Sequence, residues 1–247
     1  MKPLLCSLLL LFAFSLNAQA PVAVPAAKEP HHHLVLENSY VRVLRVSVPA
    51  HDATLLHQHD VPYIYVALGP GDVINAVAGK PEAHLVMTDG QVGYSRGGFA
   101  HIARTDSGIP FNNVTIELLR PQGEVQNICA EIVPGAAQRN CGKTVTEKRN
   151  GASIVPQFAT DETEVSLTRL DPDVEQNGLT QYSGTLFVLV SGSGIQTMVK
   201  GQPEETLALG DVMWLLAGSN TTFSNPAHKA WSYLEIGFKG SEALHKY

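Results

Sequence analysis

The chain has 247 residues, 16% of them charged and 44% hydrophobic, with 21 glycines and 15 prolines. A charged fraction so far below the roughly 25% of an ordinary soluble chain argues against a disordered polymer, a coiled coil or a long charged helix, and suits many short strands joined by turns. The formal net charge of −6 offers no basic stripe to neutralise phosphates, which argues against nucleic acid and acidic membranes as partners.

The chain opens on Met1-Lys2-Pro3, an apolar run from Leu4 to Leu16, and the small residues of Ala18-Gln19-Ala20. This is the pattern of a secretory signal peptide over residues 1–20, cut after Ala20 or, since Pro21 disfavours that site, after Ala18. The run is shorter than the about 20 apolar residues of a membrane span. The expected location is therefore secreted or periplasmic, with no membrane attachment after cleavage. Loss of Lys2 leaves 16 basic residues against 23 acidic, a net charge of −7. Cys6 leaves with the signal. Cys129 and Cys141 remain, and in an oxidising compartment such a pair is expected to form a disulfide, worth about 3 kcal/mol for so short a loop. They lack the CxxC spacing of a redox pair and a nearby His to complete a metal site.

Pro21 to Pro30 is rich in Pro and Ala, and His31-His32-His33 follows; residues 21–35 are expected to be a flexible lead-in. Three adjacent histidines on an extended strand alternate between faces and cannot all chelate one ion. From Tyr40 the pattern has period two: Val41, Val43, Arg45 and Ser47 share one face, and Arg42, Leu44, Val46 and Val48 share the other. Strand-like runs follow at Tyr63–Leu68, Ala83–Met87, Ala100–Thr105 and Asn113–Leu119. A second series comprises Val165–Leu170, Leu186–Val190, Ile195–Val199, Thr206–Leu209, Val212–Leu216 and Trp231–Phe238. The expected fold class is all-β, with an N-terminal unit at 36–124, a linker carrying the disulfide loop at 125–155 and a C-terminal unit at 156–247.

The two units carry a common offset. Gly90, Gly98, His101 and Thr105 in the first correspond to Gly210, Gly218, Thr221 and Asn225 in the second, each 120 residues apart. Each set is followed by a closing strand that contains a carboxylate, Glu117 or Glu235. The pattern points to tandem duplication.

His57-Gln58-His59 places two imidazoles on one face of a strand, about 7 Å apart at the backbone, within reach of one metal ion. His101 supplies the third candidate. Gly90, Arg96, Gly98, His101 and Thr105 resemble the second conserved motif of the cupin superfamily, with Arg96 and Thr105 where proline and asparagine are usual, and His57-x-His59 resembles the core of its first. The first motif's opening glycine is replaced by His51, and its glutamate ligand, four or five residues after the second His, is missing: Tyr63 and Ile64 stand there. The second unit matches the second motif in frame with Thr221 in the histidine position, and around Gln181–Phe187 it has no His. Over residues 36–247 the chain thus resembles a bicupin. That resemblance implies two tandem jelly-roll barrels, the first with a metal site at His57, His59 and His101, the second without.

A three-imidazole site carries no carboxylate to offset the ion's charge and keeps open positions for an anionic substrate, water or oxygen. Three-His iron sites occur in the superfamily in thiol dioxygenases and a diketone-cleaving dioxygenase, whereas its oxalate-decarboxylating and germin-like activities use the glutamate. The expected cofactor is a divalent transition metal, Fe, Mn, Zn or Ni, and the expected activity that of a dioxygenase or isomerase on a small organic molecule. The alternative is a non-catalytic ligand-binding or structural cupin whose histidines form a hydrogen-bonded relic. Strand alternation aims Tyr63 and Tyr65 into the barrel, Tyr63 either as a catalytic hydrogen-bond donor or substitute ligand, or both simply as filling. Trp214 and Trp231 read as core. A homo-oligomer is compatible with this organisation.

Overall fold

The computed structural model describes residues 22–128, 130–139, 147–149, 151–179, 181–192 and 194–240. The expected signal peptide, Cys129 and Cys141 lie outside the described residues. The described chain is all-β, with one short 3-10 turn at Ala26–Lys28. No helix among the described residues is long and apolar enough to cross a membrane.

Four sheets form two facing pairs. In the first pair, one sheet has the order Val24–Pro25, His57–His59, Phe99–Arg104, Gly71–Val77, Ala83–Met87, and the other His32–Glu37, Val41–Val48, Phe111–Leu118, Tyr63–Ala67, Val92–Ser95. Leu44, Val46, Val48 and Phe111 from the second of these sheets meet Val73, Met87 and Ala103 from the first in a common core. In the second pair, the larger sheet runs Ala137–Gln138, Val125–Asn127, Ala152–Thr160, Thr163–Leu170, Trp231–Phe238, Gly184–Ser191, Val212–Leu216, and the smaller runs Glu175–Leu179, Asn220–Ser224, Ile195–Val199, Glu205–Leu207.

The two halves pack back to back. Val41, Val43, Ile64, Val66, Val114 and Ile116 turn away from the first barrel and bury against Phe158, Val165, Leu186, Val188, Leu234 and Ile236 of the second. Period-two alternation explains why these strands are apolar on both faces: one face lines a barrel and the other joins the barrels. Arg45 follows the same rule, donating from this outer face to the Leu209 carbonyl at 2.7 Å.

The duplication is visible in backbone and register. Gly90 and Gly210 have φ of 73° and 80°, and Gly98 and Gly218 have 76° and 77°, left-handed values that favour glycine. His101 pairs with Val77 as Thr221 pairs with Val199. Thr105 donates from Oγ1 to the Pro49 carbonyl at 2.7 Å, and Asn225 donates to the Asp171 carbonyl at 3.0 Å, so both tie back the end of an equivalent strand.

Two expectations are corrected. Residues 21–35 are not a loose lead-in: Val24–Pro25 pairs with His57–Gln58, and His32–Glu37 pairs with Val41–Val48. The interval 125–155 is not a bare linker either. Val125–Asn127 pairs with Ala152–Thr160 and so belongs to the second barrel's large sheet. Tertiary pairing recruits both segments in spite of their polar or proline-rich composition.

The interiors differ. Where the first barrel has Ala103 opposite Asn75, the second has Phe223 opposite Thr197. Phe223 stacks on Tyr233 at 5.1 Å and lies 4.9 Å from Phe187, within a core that includes Trp231 and Leu215. The second barrel is filled with its own aromatic side chains. Phe223→Ala is therefore expected to cost about 3–5 kcal/mol in denaturant titration.

Candidate metal centre

His57–His59 is a three-residue strand in which both histidines are buried and Gln58 is exposed, as alternation requires. It pairs with Phe99–Arg104, setting His57 directly opposite His101. The approach depends on Gly97, whose φ is 65° and where a Cβ would lie 2.2 Å from the Val61 carbonyl oxygen. Any larger residue would push the His101 strand away from the His59 strand. One ring nitrogen from each of His57, His59 and His101 lies within 4.8 Å of the other two. The structure thus brings together the three residues the spacing selected.

Each ring is fixed through Nδ1. His57 Nδ1 bonds the Leu55 carbonyl at 2.9 Å, His59 Nδ1 the Glu117 carboxylate at 3.1 Å, and His101 Nδ1 the Asn75 Oδ1 at 2.7 Å. All three partners are acceptors, so in the neutral ring Nδ1 carries the proton and Nε2 presents its lone pair. Among the described residues His101 Nε2 is buried with no hydrogen-bond partner, an arrangement that costs free energy unless a further group meets it. The donor set therefore fits a divalent transition metal: neutral nitrogen ligands oriented by outer hydrogen bonds.

Burial and the neighbouring histidines hold His101 at about 2, and burial holds His57 at about 4, against an ordinary value of 6.5. Both are neutral, ligand-competent imidazoles at neutral pH. A third buried ring, His32, is held at about 3 chiefly by burial. The unfolded chain protonates these groups near 6.5 while the folded chain resists, so the stability of the metal-free protein is full above that pH and falls as pH drops towards 4. Each ring contributes up to about 1.4 kcal/mol per pH unit. The urea midpoint of metal-free protein should accordingly drop between about pH 7.5 and about pH 5.5; a flat profile contradicts this.

Glu117 is the charged support beneath the site. Its other oxygen accepts from Arg42 at 2.9 Å, and Arg42 also reaches Glu37 at 3.0 Å. Burial pushes the Glu117 carboxyl up, but the bonds from His59 and Arg42 outweigh it and the net shift is downward. The carboxylate absent from the sequence motif thus has a counterpart behind His59 instead of in the candidate donor set. Sequence reading noted Glu117 only as part of a closing strand; its signal was a carboxylate on the same alternating face as the polar Asn113 and Thr115.

Tyr63 stacks on His59, ring centroids 4.2 Å apart, and burial raises its hydroxyl to about 12. Tyr63 and Tyr65 both line the cavity, as alternation required. Tyr65 lies over Gly93, where a Cβ would fall 2.1 Å from the ring carbon that bears the hydroxyl. The cavity has a volume of about 230 Å³ and is walled by Val46, Val73, Leu85, Met87, Phe99 and Phe111, with Asn113, Thr115 and Ser95 as polar points. A cavity of about 150 Å³ holds a benzene ring, so this one admits a substituted single ring. In the second barrel the strand opposite Thr221 is Glu175–Leu179, with Gly178 facing Thr221. The missing first motif therefore sits there, ahead of Gln181–Phe187, and Gly178 stands where the first barrel has His57.

No family model matches the chain, and no curated protein matches it in sequence. Solved structures do match. AerE from Microcystis aeruginosa superposes with a TM-score of 0.57 at 9% identity, covering 85% of this chain and 98% of AerE. Salicylate 1,2-dioxygenase from Pseudoaminobacter salicylatoxidans, in a structure of its adducts with gentisate, gives 0.56 at 10% identity, covering 81% of this chain and 68% of the dioxygenase. The likeness is one of fold, and it agrees with the two-barrel all-β architecture expected from the motifs.

Proposed function

We propose that this protein is an exported, metal-dependent dioxygenase that acts on a small organic molecule, about one substituted ring in size, in its N-terminal barrel. The observation that carries the reading is the set of three inward imidazoles, each tied through Nδ1 to an acceptor, at the wall of a cavity of about 230 Å³. The fold likeness to a salicylate 1,2-dioxygenase supports the reaction class. His57, His59 and His101 would hold the ion, which when bound supplies Lewis acidity and oxygen activation; iron suits that chemistry. The chain's own groups do the rest. Tyr63, kept protonated by burial, donates a hydrogen bond to substrate oxygen beside His59. The apolar wall excludes water, and Asn113 and Thr115 orient polar substituents.

The test is oxygen uptake by protein loaded with Fe(II), measured against small hydroxylated aromatics and diketones. Uptake matched one to one by substrate loss is expected. Ligand binding without oxygen uptake for any of them would turn the reading towards a binding protein. Export and a Cys129–Cys141 disulfide belong to the same proposal: the mature protein should begin after Ala20 or Ala18, and its intact mass should be lighter by two hydrogens until reduced.

A further inference from the structure

We infer that His32 is a fourth imidazole of the site, placed to accept a hydrogen bond from a substrate hydroxyl, and that the site takes an uncharged hydroxylated molecule in preference to a carboxylate. This rests on the metal reading above and adds the substrate class to it. His32 is 8% exposed and lines the same cavity as the three ligands. Its ring stands edge-on to His57 at 4.6 Å and 6.1 Å from His59. The group whose nitrogens all lie within 4.8 Å of one another contains His57, His59 and His101 and not His32. His32 therefore stands beside the donor set without completing it.

The segment that carries His32 is pinned to the metal strand. Val24 N–H donates to the Leu56 carbonyl at 3.0 Å, and the buried Glu29 carboxylate accepts from the backbone of His31 at 2.7 Å and of Leu55 at 3.1 Å. His32 Nδ1 bonds the Ala26 carbonyl at 2.9 Å, so the neutral ring carries its proton there and Nε2 is an acceptor. The Glu29 oxygen 3.9 Å from Nε2 is also an acceptor and too far to bond. Among the described residues no donor meets this nitrogen, which a substrate hydroxyl would satisfy.

The charges around the cavity set the second half of the inference. Among the described residues no Lys or Arg lines it. Glu29 lies behind His32 and Glu117 behind His59, and of these Glu117 alone has a guanidinium partner. A carboxylate would be desolvated with the ion as its one opposite charge and only neutral donors such as the Tyr63 hydroxyl beside it, whereas a substrate hydroxyl has the His32 acceptor waiting.

The experiment is anaerobic calorimetric titration of Fe(II)-loaded protein with catechol, catechol dimethyl ether, which has no hydroxyl, and salicylate, after metal content has been measured. Catechol should bind at least about tenfold more tightly than the other two. His32→Asn keeps a donor for the Ala26 carbonyl but removes the reach of Nε2; it should retain the metal and weaken catechol about tenfold while leaving the dimethyl ether nearly unchanged. His32→Gln, whose amide oxygen extends to the Nε2 position, should recover catechol binding. Unchanged catechol affinity in metal-loaded His32→Asn, or salicylate binding more tightly than catechol in the wild type, overturns the inference. Loss of metal from His32→Asn also overturns it, by making His32 a ligand. A wild-type protein that takes up no metal is a different failure: it removes the metal reading itself.

Discussion

Replacing His101 with alanine is expected to weaken metal binding by more than about 100-fold, the upper range for losing merely an outer partner of a ligand, while the metal-free protein keeps its stability to within about 2 kcal/mol. The two halves of this expectation share one cause. His101 Nε2 is buried without a partner, so in the metal-free protein the ring carries a cost that alanine removes. Against this, Asn75 Oδ1 loses its bond from Nδ1 and a small void is left. A structural histidine behaves in the opposite way: its removal costs stability and leaves metal uptake alone. Isothermal titration with Zn(II) as probe, paired with urea denaturation of metal-free protein, separates the two. A variant that binds metal as the wild type does would remove His101 from the site.

Glu117→Gln should weaken metal binding by about 10–100-fold and also lower stability, by about 3 kcal/mol. The amide oxygen of glutamine can still accept from His59 Nδ1, so the ring keeps its tautomer. What it loses is the negative charge that offsets the ion through His59 and that pairs with Arg42 at 2.9 Å. Breaking a buried ion pair from one side is costly because the other charge stays behind. Arg42 is 30% exposed and retains Glu37, which places the loss at the lower end of that range. The same titrations read both effects. Lost stability with unaltered metal affinity would make Glu117 a partner of Arg42 alone.

The strands with clean alternation or continuous apolar runs were legible from residue order. Ala83–Met87, Val212–Leu216 and Trp231–Phe238 have the expected bounds. Asn220–Ser224 and Glu175–Leu179 gave little local signal because their sequences are polar, and it is sheet pairing, with each other and, for Asn220–Ser224, with Ile195–Val199, that makes them strands. His32–Glu37 was hidden for a related reason. The His31-His32-His33 run follows a proline-rich stretch and looks like a solvated arm, yet alternation puts His32 on the face opposite its neighbours, and pairing with Val41–Val48 turns that face inward.

At the site, the three histidines were legible because motif spacing carries them: two sit in one short strand, and the third follows a glycine pattern that repeats 120 residues later. Their supports were not. Asn75 is 26 residues from His101 and Glu117 is 58 from His59; sheet order alone brings such positions together. The filling of the second barrel was equally invisible, since Phe223 reads as one more strand residue until its register places it where the first barrel has Ala103.

The central claim is that the first barrel is a metal centre and the second is its packed support. Its most direct test is elemental analysis of the full chain purified without a His tag. The account predicts close to one transition-metal ion per chain, lost when His57, His59 and His101 are replaced together; substoichiometric metal that the triple replacement leaves unchanged would contradict it.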